Sequence, residues 1–344
     1  MISFGSDYIE GAHPRIMERL MKTNMEQTLG YGMDEYSLKA KELIKKACHN
    51  EAVDVHFVVG GTQANLIVIA AALRPFEGVL AATSGHINVH ETGAVEATGH
   101  KVLTLEAVDG KIKASQVTAY MEHFLNDPTM EHTVKPKMVY ISSPTELGSI
   151  YKREEIKALR EVCDQYDLLL FLDGARLGYG LVCEENDWDL EFISKMTDVF
   201  YIGGTKVGAL FGEALVIRNE ELKKEFRFMI KQRGAMLAKG RLLGLQFMTM
   251  FEDGLYLEMG KHGMAMAKKL AEGFKEANVK FFTKPITNQL FVILENEKIE
   301  KLREKFIFET WEEVDEKQTA VRFCTSWGTT AENIEAFLEE LRGL

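Results

Sequence analysis

Between residues 53 and 217 the chain alternates short apolar runs with longer amphipathic ones, and this alternation restricts the fold more than any other feature. The runs Val53–Val59, Val79–Ala82, Lys101–Leu105, Lys137–Ile141, Leu168–Leu172, Val199–Ile202 and Ala214–Ile217 have the length and composition of strands. Most are too continuously apolar for strands wetted on one face. Strands buried on both faces belong to parallel or mixed sheets covered by helices. Thr62–Leu73 and Glu154–Tyr166 read as such helices, and Val89–Gly99 as a short helix closed by a glycine cap. The expected class is α/β.

The pattern changes at Gly244. A long helical stretch runs to Ala277, with a break expected near Asp253-Gly254. Strands follow at Val279–Phe282, Gln289–Leu294 and Ala320–Cys324, with helices at Lys298–Lys305 and Thr330–Leu341. At roughly 150 residues per domain, a chain of 344 residues holds two. We expect a large domain over 1–245, with a mostly parallel mixed sheet, and a small C-terminal α+β domain over 246–344. The joint between them reads as helix, because no flexible tether is visible.

Composition then removes whole classes of function. A net charge of −11 repels nucleic-acid backbones. Cys48, Cys163, Cys183 and Cys324 form no CxxC pair and no zinc-ligand spacing, so reduced thiols in a cytosol fit them and no metal site is expected. The N-terminus shows no basic segment followed by an apolar one, and runs such as Leu66–Leu73 are far shorter than a membrane span. The expectation is a cytoplasmic protein that handles a small molecule.

The chemistry concentrates where apolar runs end. Leu168–Leu172 stops at Asp173, and Val199–Ile202 leads into Gly203-Gly-Thr-Lys206. A carboxylate and an amine at two strand ends suit pyridoxal phosphate: the lysine holds its aldehyde as a Schiff base, and the aspartate pairs with the protonated pyridine nitrogen. Taken singly, both are ordinary polar residues ending buried strands.

Gly60-Gly61-Thr62 joins a strand to a helix, where free N–H groups and a hydroxyl favour a phosphate; a plain glycine turn with a threonine cap fits the same residues. Walker and GxGxxG spacings are absent, which disfavours a nucleotide-binding enzyme. His86 follows a strand and could stack on a pyridine ring, or be a surface or core histidine. Arg176 and Arg322 are candidates for a bidentate grip on an amino acid's carboxylate. For Arg322, inside an apolar strand, an ion pair with a buried acid is the competing reading.

Gly61-Thr-Gln-Ala-Asn65, His86 with Glu91-Thr-Gly-Ala94, Asp173-Gly-Ala-Arg176 and Thr205-Lys206-Val-Gly208 occur in this order. From Ser6-Asp7 to the strand carrying Arg322, the chain resembles the low-specificity threonine aldolases. These belong to the β-eliminating lyase branch of fold type I pyridoxal phosphate enzymes. The resemblance implies a lyase that cleaves the Cα–Cβ bond of L-threonine, L-allo-threonine or a related β-hydroxy-α-amino acid, giving glycine and an aldehyde. It implies Lys206 as the Schiff-base residue, Asp173 as its ring-nitrogen partner and His86 as the stacking residue, on which we also place the base. Gly61 and Thr62 would hold the phosphate, with Thr205 beside the lysine as a further cofactor contact and Arg176 close by. Ser6, Arg176 and Arg322 would take the substrate carboxylate. A homotetramer built from dimers is also implied, with Tyr31, Lys231 and Arg233 as candidates to reach a neighbour's site.

One departure stands out. Where better-known members carry a histidine near the substrate side chain, this chain reads Ser143-Pro-Thr-Glu146. Glu146 is therefore a substrate-binding candidate, as proton acceptor or as a group that reshapes the pocket. The alternative functions are β-elimination or transamination of another amino acid, or a pyridoxal-phosphate-binding protein without catalysis.

Overall fold

A computed structural model describes residues 1–344. The chain opens with a two-residue strand, β1 (Ile2–Ser3), and then forms β2 (Asp54–Val58), β3 (Glu77–Ala82), β4 (Val102–Leu105), β5 (Lys135–Ser142), β6 (Leu169–Asp173), β7 (Val199–Gly203) and β8 (Glu213–Ile217). Strands β2 to β8 make a 7-stranded sheet in the order β2-β8-β7-β6-β5-β3-β4. Every neighbouring pair is parallel except the two that involve β8, which runs antiparallel between β2 and β7. This is the mixed, mostly parallel sheet expected from the sequence.

Strand periodicity explains why the runs lack polar residues. Val139, Ile141, Leu170, Leu172, Phe200 and Ile202 enter one core cluster. The alternate residues Met138, Tyr140, Phe171, Val199 and Tyr201 enter another on the opposite face. The helices Gly61–Ala72 and Phe226–Gln232 contribute to the second cluster; Glu35–Ala47 and Arg153–Gln165 contribute to the first.

Past the large sheet, the helix Arg241–Glu252 is separated from Leu255–Glu276 by Asp253 and by Gly254, whose φ is +75°. The break falls where the sequence put it. The remaining strands are β9 (Lys280–Phe281), β10 (Gln289–Glu295), β11 (Phe306–Ile307), β12 (Glu309–Glu313) and β13 (Gln318–Cys324). Four of them form an antiparallel sheet ordered β12-β13-β10-β9, while β11 pairs with β1 and ties the N-terminus to this region. A third core cluster joins this sheet to the end of Leu255–Glu276 and to Ala331–Arg342, through Phe274, Val292, Phe323 and Phe337. The first turns of Leu255–Glu276 instead enter the large-sheet core, through Tyr256 and Met259.

One local expectation changes, and one strand was not anticipated. Val89–Gly99 is not one helix: a single helical turn spans His86–Val89, and a 3₁₀ turn spans Glu96–Thr98. Thr92 and Gly93 have φ of +51° and +71°, conformations that interrupt a right-handed helix, although Gly99 does cap the second turn at φ +94°. The strand β12 escaped notice because Glu309, Glu312 and Glu313 carry no apolar alternation; charge suits an exposed sheet edge.

Candidate active site

The chemistry lies where the strands end. Gly60 and Gly61 follow β2, His86 follows β3, Glu146 follows β5, Asp173 ends β6 and Lys206 follows β7. Because these strands are parallel, their carboxyl ends share one edge of the sheet, where ligands of open α/β sheets bind. The antiparallel β8 begins at the same edge with Glu213. All these residues line one cavity of about 320 Å³, with Thr62, Arg176, Tyr201, Thr205 and Tyr8.

Two hydrogen bonds and a glycine turn steady the Lys206 loop. Tyr179 OH donates to the Lys206 carbonyl at 2.7 Å, Tyr256 OH donates to the Gly203 carbonyl at 3.0 Å, and Gly208 adopts φ +93°. A Cβ on Gly208 would lie 2.2 Å from Met259 Sδ, so the turn that returns the chain to β8 requires glycine. Burial, then repulsion from Arg176, pulls the Lys206 amine below its usual pKa; the charges of Asp7 and Asp173 oppose this without reversing it.

Asp173 is 5% exposed, yet it stays ionised. Burial alone would raise its pKa. Attraction to His86 and hydrogen bonds from Tyr140 (2.5 Å), Tyr201 and the Ala175 N–H (2.9 Å) outweigh burial and hold it below the ordinary carboxylate range. Asn65 Nδ2 lies 3.4 Å from Asp173 Oδ2 and donates to Glu91 Oε1 at 2.7 Å. The same Glu91 oxygen lies 2.8 Å from His86 Nδ1. With a fully buried acid side chain as its partner, Nδ1 is the ring nitrogen that donates. The sequence reading missed Asn65, Glu91, Tyr140 and Tyr201. Asn65, Glu91 and Tyr201 lie in the motifs around Gly61, His86 and Lys206, yet both tyrosines read as strand core.

Glu146 Oε1 accepts from the His86 N–H (2.9 Å) and from Ser142 Oγ (2.8 Å). Burial raises its pKa, the Ser142 hydrogen bond opposes this, and the nearby charge of Asp173 adds to the rise. The group therefore holds a proton more readily than an exposed glutamate.

The arginines are already engaged. Arg176 donates Nε to Asp7 Oδ2 at 2.7 Å and Nη2 to Asp7 Oδ1 at 3.0 Å, and Asn288 donates to the same aspartate at 2.8 Å. Arg322 reaches the Gly5 carbonyl (3.4 Å) and Gln289 (3.5 Å), and it forms an ion pair with Glu309, directly across from it on the edge strand β12. Its Nε is buried without a partner. Ser6 is buried next to Asp7 but, like Arg322, lies outside the cavity lining. Tyr31 stands away from this cavity: it lines a separate one and sits under Lys231, whose Nζ is 4.9 Å from the ring centroid. Nothing in the sequence marked Asp7 as a counter-ion.

A phosphate fits the start of the Gly61–Ala72 helix. Gly60 caps it without a side-chain hydrogen bond, and the N–H groups of Gly61, Thr62 and Gln63 have no partner. Gln63 turns back to accept from the Val59 N–H at 3.1 Å. A Cβ on Gly61 would lie 2.9 Å from the Tyr201 hydroxyl, so a side chain there would crowd the cradle. Buried Asn65 Oδ1 and Glu91 Oε2 also lack partners beside it. No group of three or more His, Cys, Asp or Glu side chains converges as a metal site.

A mixed doubly wound sheet with a lysine and an ionised aspartate at its carboxyl edge defines an enzyme of fold type I, the pyridoxal-phosphate-dependent class. Residues 3–297 match the beta-eliminating lyase family. The chain belongs to that family. It is 27% identical over 350 residues to a low-specificity L-threonine aldolase of Pseudomonas sp. strain NCIMB 10558, covering 99% of this chain and 97% of the relative. It is 24% identical to the Escherichia coli K12 low-specificity L-threonine aldolase over 307 residues, covering 85% of this chain and 84% of the relative. Among solved structures, a Leishmania major threonine aldolase superposes with a TM-score of 0.97 at 44% identity, covering 100% of this chain and 99% of that one. A Thermus thermophilus aspartate aminotransferase shares the fold, with a TM-score of 0.69 at 15% identity, covering 100% and 91%.

Proposed function

We propose that this chain cleaves the Cα–Cβ bond of L-threonine, L-allo-threonine or related β-hydroxy-α-amino acids, releasing glycine and an aldehyde, with pyridoxal 5′-phosphate as cofactor. The convergence of Lys206, Asp173 and the open helix start in one cavity carries this reading. Bound there, the cofactor supplies an electron-poor ring that accepts the electron pair of the breaking bond.

The chain's own groups divide the remaining work. Lys206, with its lowered pKa, presents a nucleophilic amine as the attachment point. Asp173, kept ionised by its hydrogen bonds, would pair with the ring nitrogen. The N–H groups of Gly61 and Thr62, with the hydroxyls of Thr62 and Thr205, would hold the phosphate. His86 would stack on the cofactor ring and, through Nε2, take the β-hydroxyl proton; Glu91, on Nδ1, orients the imidazole for this. Glu146, beside His86 and with its carboxyl pushed up by burial, would hydrogen-bond the substrate's β-substituent. Arg322 would exchange Glu309 for the substrate carboxylate, while Arg176 keeps two nitrogens on Asp7 and offers Nη1, with Ser6 adjacent.

A homotetramer accompanies this reading. Met17, Met21, Met25, Leu29 and Met33 are exposed within one short segment, beside Tyr31, and such an apolar surface fits burial against another copy. Tyr31, Lys231 and Arg233 would then reach a neighbour's cavity. The division at 245/246 and a cytoplasmic setting belong to the same reading. The four cysteines are free and buried, and no helix is long and apolar enough to cross a membrane.

Incubation with L-threonine tests the function: acetaldehyde and glycine are expected. Pyruvate, ammonia or a keto acid instead would overturn it. Sedimentation analysis tests the assembly, and a monomer at working concentration would refute it.

A further inference from the structure

Glu213 opens β8 opposite Gly203 on β7 and is 3% exposed. Its Oε2 accepts the Gly204 N–H at 2.9 Å and its carboxyl also takes the Thr205 hydroxyl; Thr205 Oγ1 in turn accepts the Gly212 N–H at 2.9 Å. The carboxyl group thus holds the two residues immediately before Lys206. It does so without a salt bridge, although it lines the same cavity as the lysine. A glutamine would accept the same hydrogen bonds, and burying an unpaired carboxyl in place of an amide is costly. A buried acid beside a functional amine is the arrangement by which proteins adjust an amine's proton affinity.

We infer that Glu213 is a positioning residue for Lys206: its carboxyl clamps the Gly204–Thr205 backbone, and its charge governs how readily the lysine amine gives up its proton. The groups facing it are Lys206 on the loop, Asp173 on β6, Tyr201 on β7 and Tyr256 on the Leu255–Glu276 helix. Burial pushes the Glu213 carboxyl up to about 8, against the opposing pull of Thr205, the Gly204 N–H and Lys206. Near neutrality Glu213 therefore carries its own proton, and no negative charge from it holds the lysine as ammonium. The Lys206 ammonium releases H⁺ and keeps the nitrogen lone pair. At alkaline pH, Glu213 ionises and retains the ammonium, which broadens the lysine's titration.

The inference rests on Lys206 being the attachment point. It is tested by loading the full chain with pyridoxal phosphate across pH 6 to 10, fixing the product with borohydride and quantifying modified Lys206 by peptide mass spectrometry. Glu213→Gln keeps the acceptor oxygen and removes the charge. At pH 9 it should load Lys206 about three- to tenfold faster than wild type, with the midpoint of the rate profile moved to lower pH. If Glu213→Gln fails to fold, the wild-type profile serves alone: a rise shallower than a single-proton titration above pH 8 is expected, and a single-proton curve would overturn the inference. Superimposable profiles for a folded variant and wild type would overturn the inference. Wild type that is unmodified at Lys206 at every pH would instead sink the proposed function, and this inference with it.

Discussion

Replacing Asp7 by Asn tests whether the Arg176–Asp7 pair is an internal ion pair that the fold cannot spare. Asp7 has no exposed side-chain surface and Arg176 only 10%. The carboxylate accepts two hydrogen bonds from Arg176 and one from Asn288. Asparagine keeps the volume, removes the charge and points an N–H₂ at donors. Breaking a buried pair by removing one partner costs about 3–5 kcal/mol, because the remaining charge stays desolvated. At roughly 2 °C per kcal/mol for a chain this long, the melting temperature should fall by about 6–10 °C. Scanning calorimetry at fixed protein concentration and scan rate reads this directly. The double variant Asp7→Leu with Arg176→Met removes both charges and should recover most of the loss. The pH dependence has a definite sign. Burial raises the Asp7 pKa, but Arg176, Lys206 and the hydrogen bonds bring it below the ordinary value of 3.8. A depressed pKa contributes stability above the unfolded value and loses it as pH falls through the folded one. The gap between wild type and Asp7→Asn should thus stay constant from pH 8 to 5 and close only below about 4. A single variant melting within about 1 °C of wild type, or a double variant no better than the single, would refute the reasoning.

Glu309→Gln removes the carboxylate that occupies Arg322. The pair is partly exposed at Glu309 and contributes about 0–1 kcal/mol, so stability should barely change, while KM for the amino acid should fall by up to about fivefold. An unchanged KM would separate Arg322 from substrate binding. Gly61→Ala should push the Tyr201 hydroxyl away from Asp173 and crowd the helix start. Loss of one hydrogen bond to a charged group, about 1.5–3 kcal/mol, predicts cofactor binding weakened about ten- to hundredfold in an absorbance titration, and wild-type affinity would contradict it. Glu91→Gln should leave His86 without its anionic partner and lower kcat more than it raises KM; equal effects on both would assign Glu91 a purely structural role.

What the sequence made legible follows from how each signal is encoded. Buried strands advertise themselves because neither face tolerates polar groups, so Leu169–Asp173 and Val199–Gly203 were found within a residue or two, together with the functional groups at their ends. The glycine break at Gly254 was legible because a positive φ is a local demand. The edge strand Glu309–Glu313 was not, since solvent asks nothing of its pattern. In the site, residues whose chemistry is their own (Lys206, Asp173, His86) could be named as candidates from their strand ends and their order along the chain. Residues whose role is to answer another group could not: Asp7 is 169 positions from Arg176, and Tyr140 is 33 from Asp173. Glu213 is only 7 positions from Lys206. Even so, a glutamate at the head of an apolar strand reads as a charged residue at a solvent boundary. The turn through Gly208 and Gly212, both at positive φ, folds that boundary inward, so that the acid meets the backbone amide before the lysine rather than water. The difference between a surface glutamate and one that governs an amine is thus set by the loop's path, a tertiary fact that no local pattern of residues expresses.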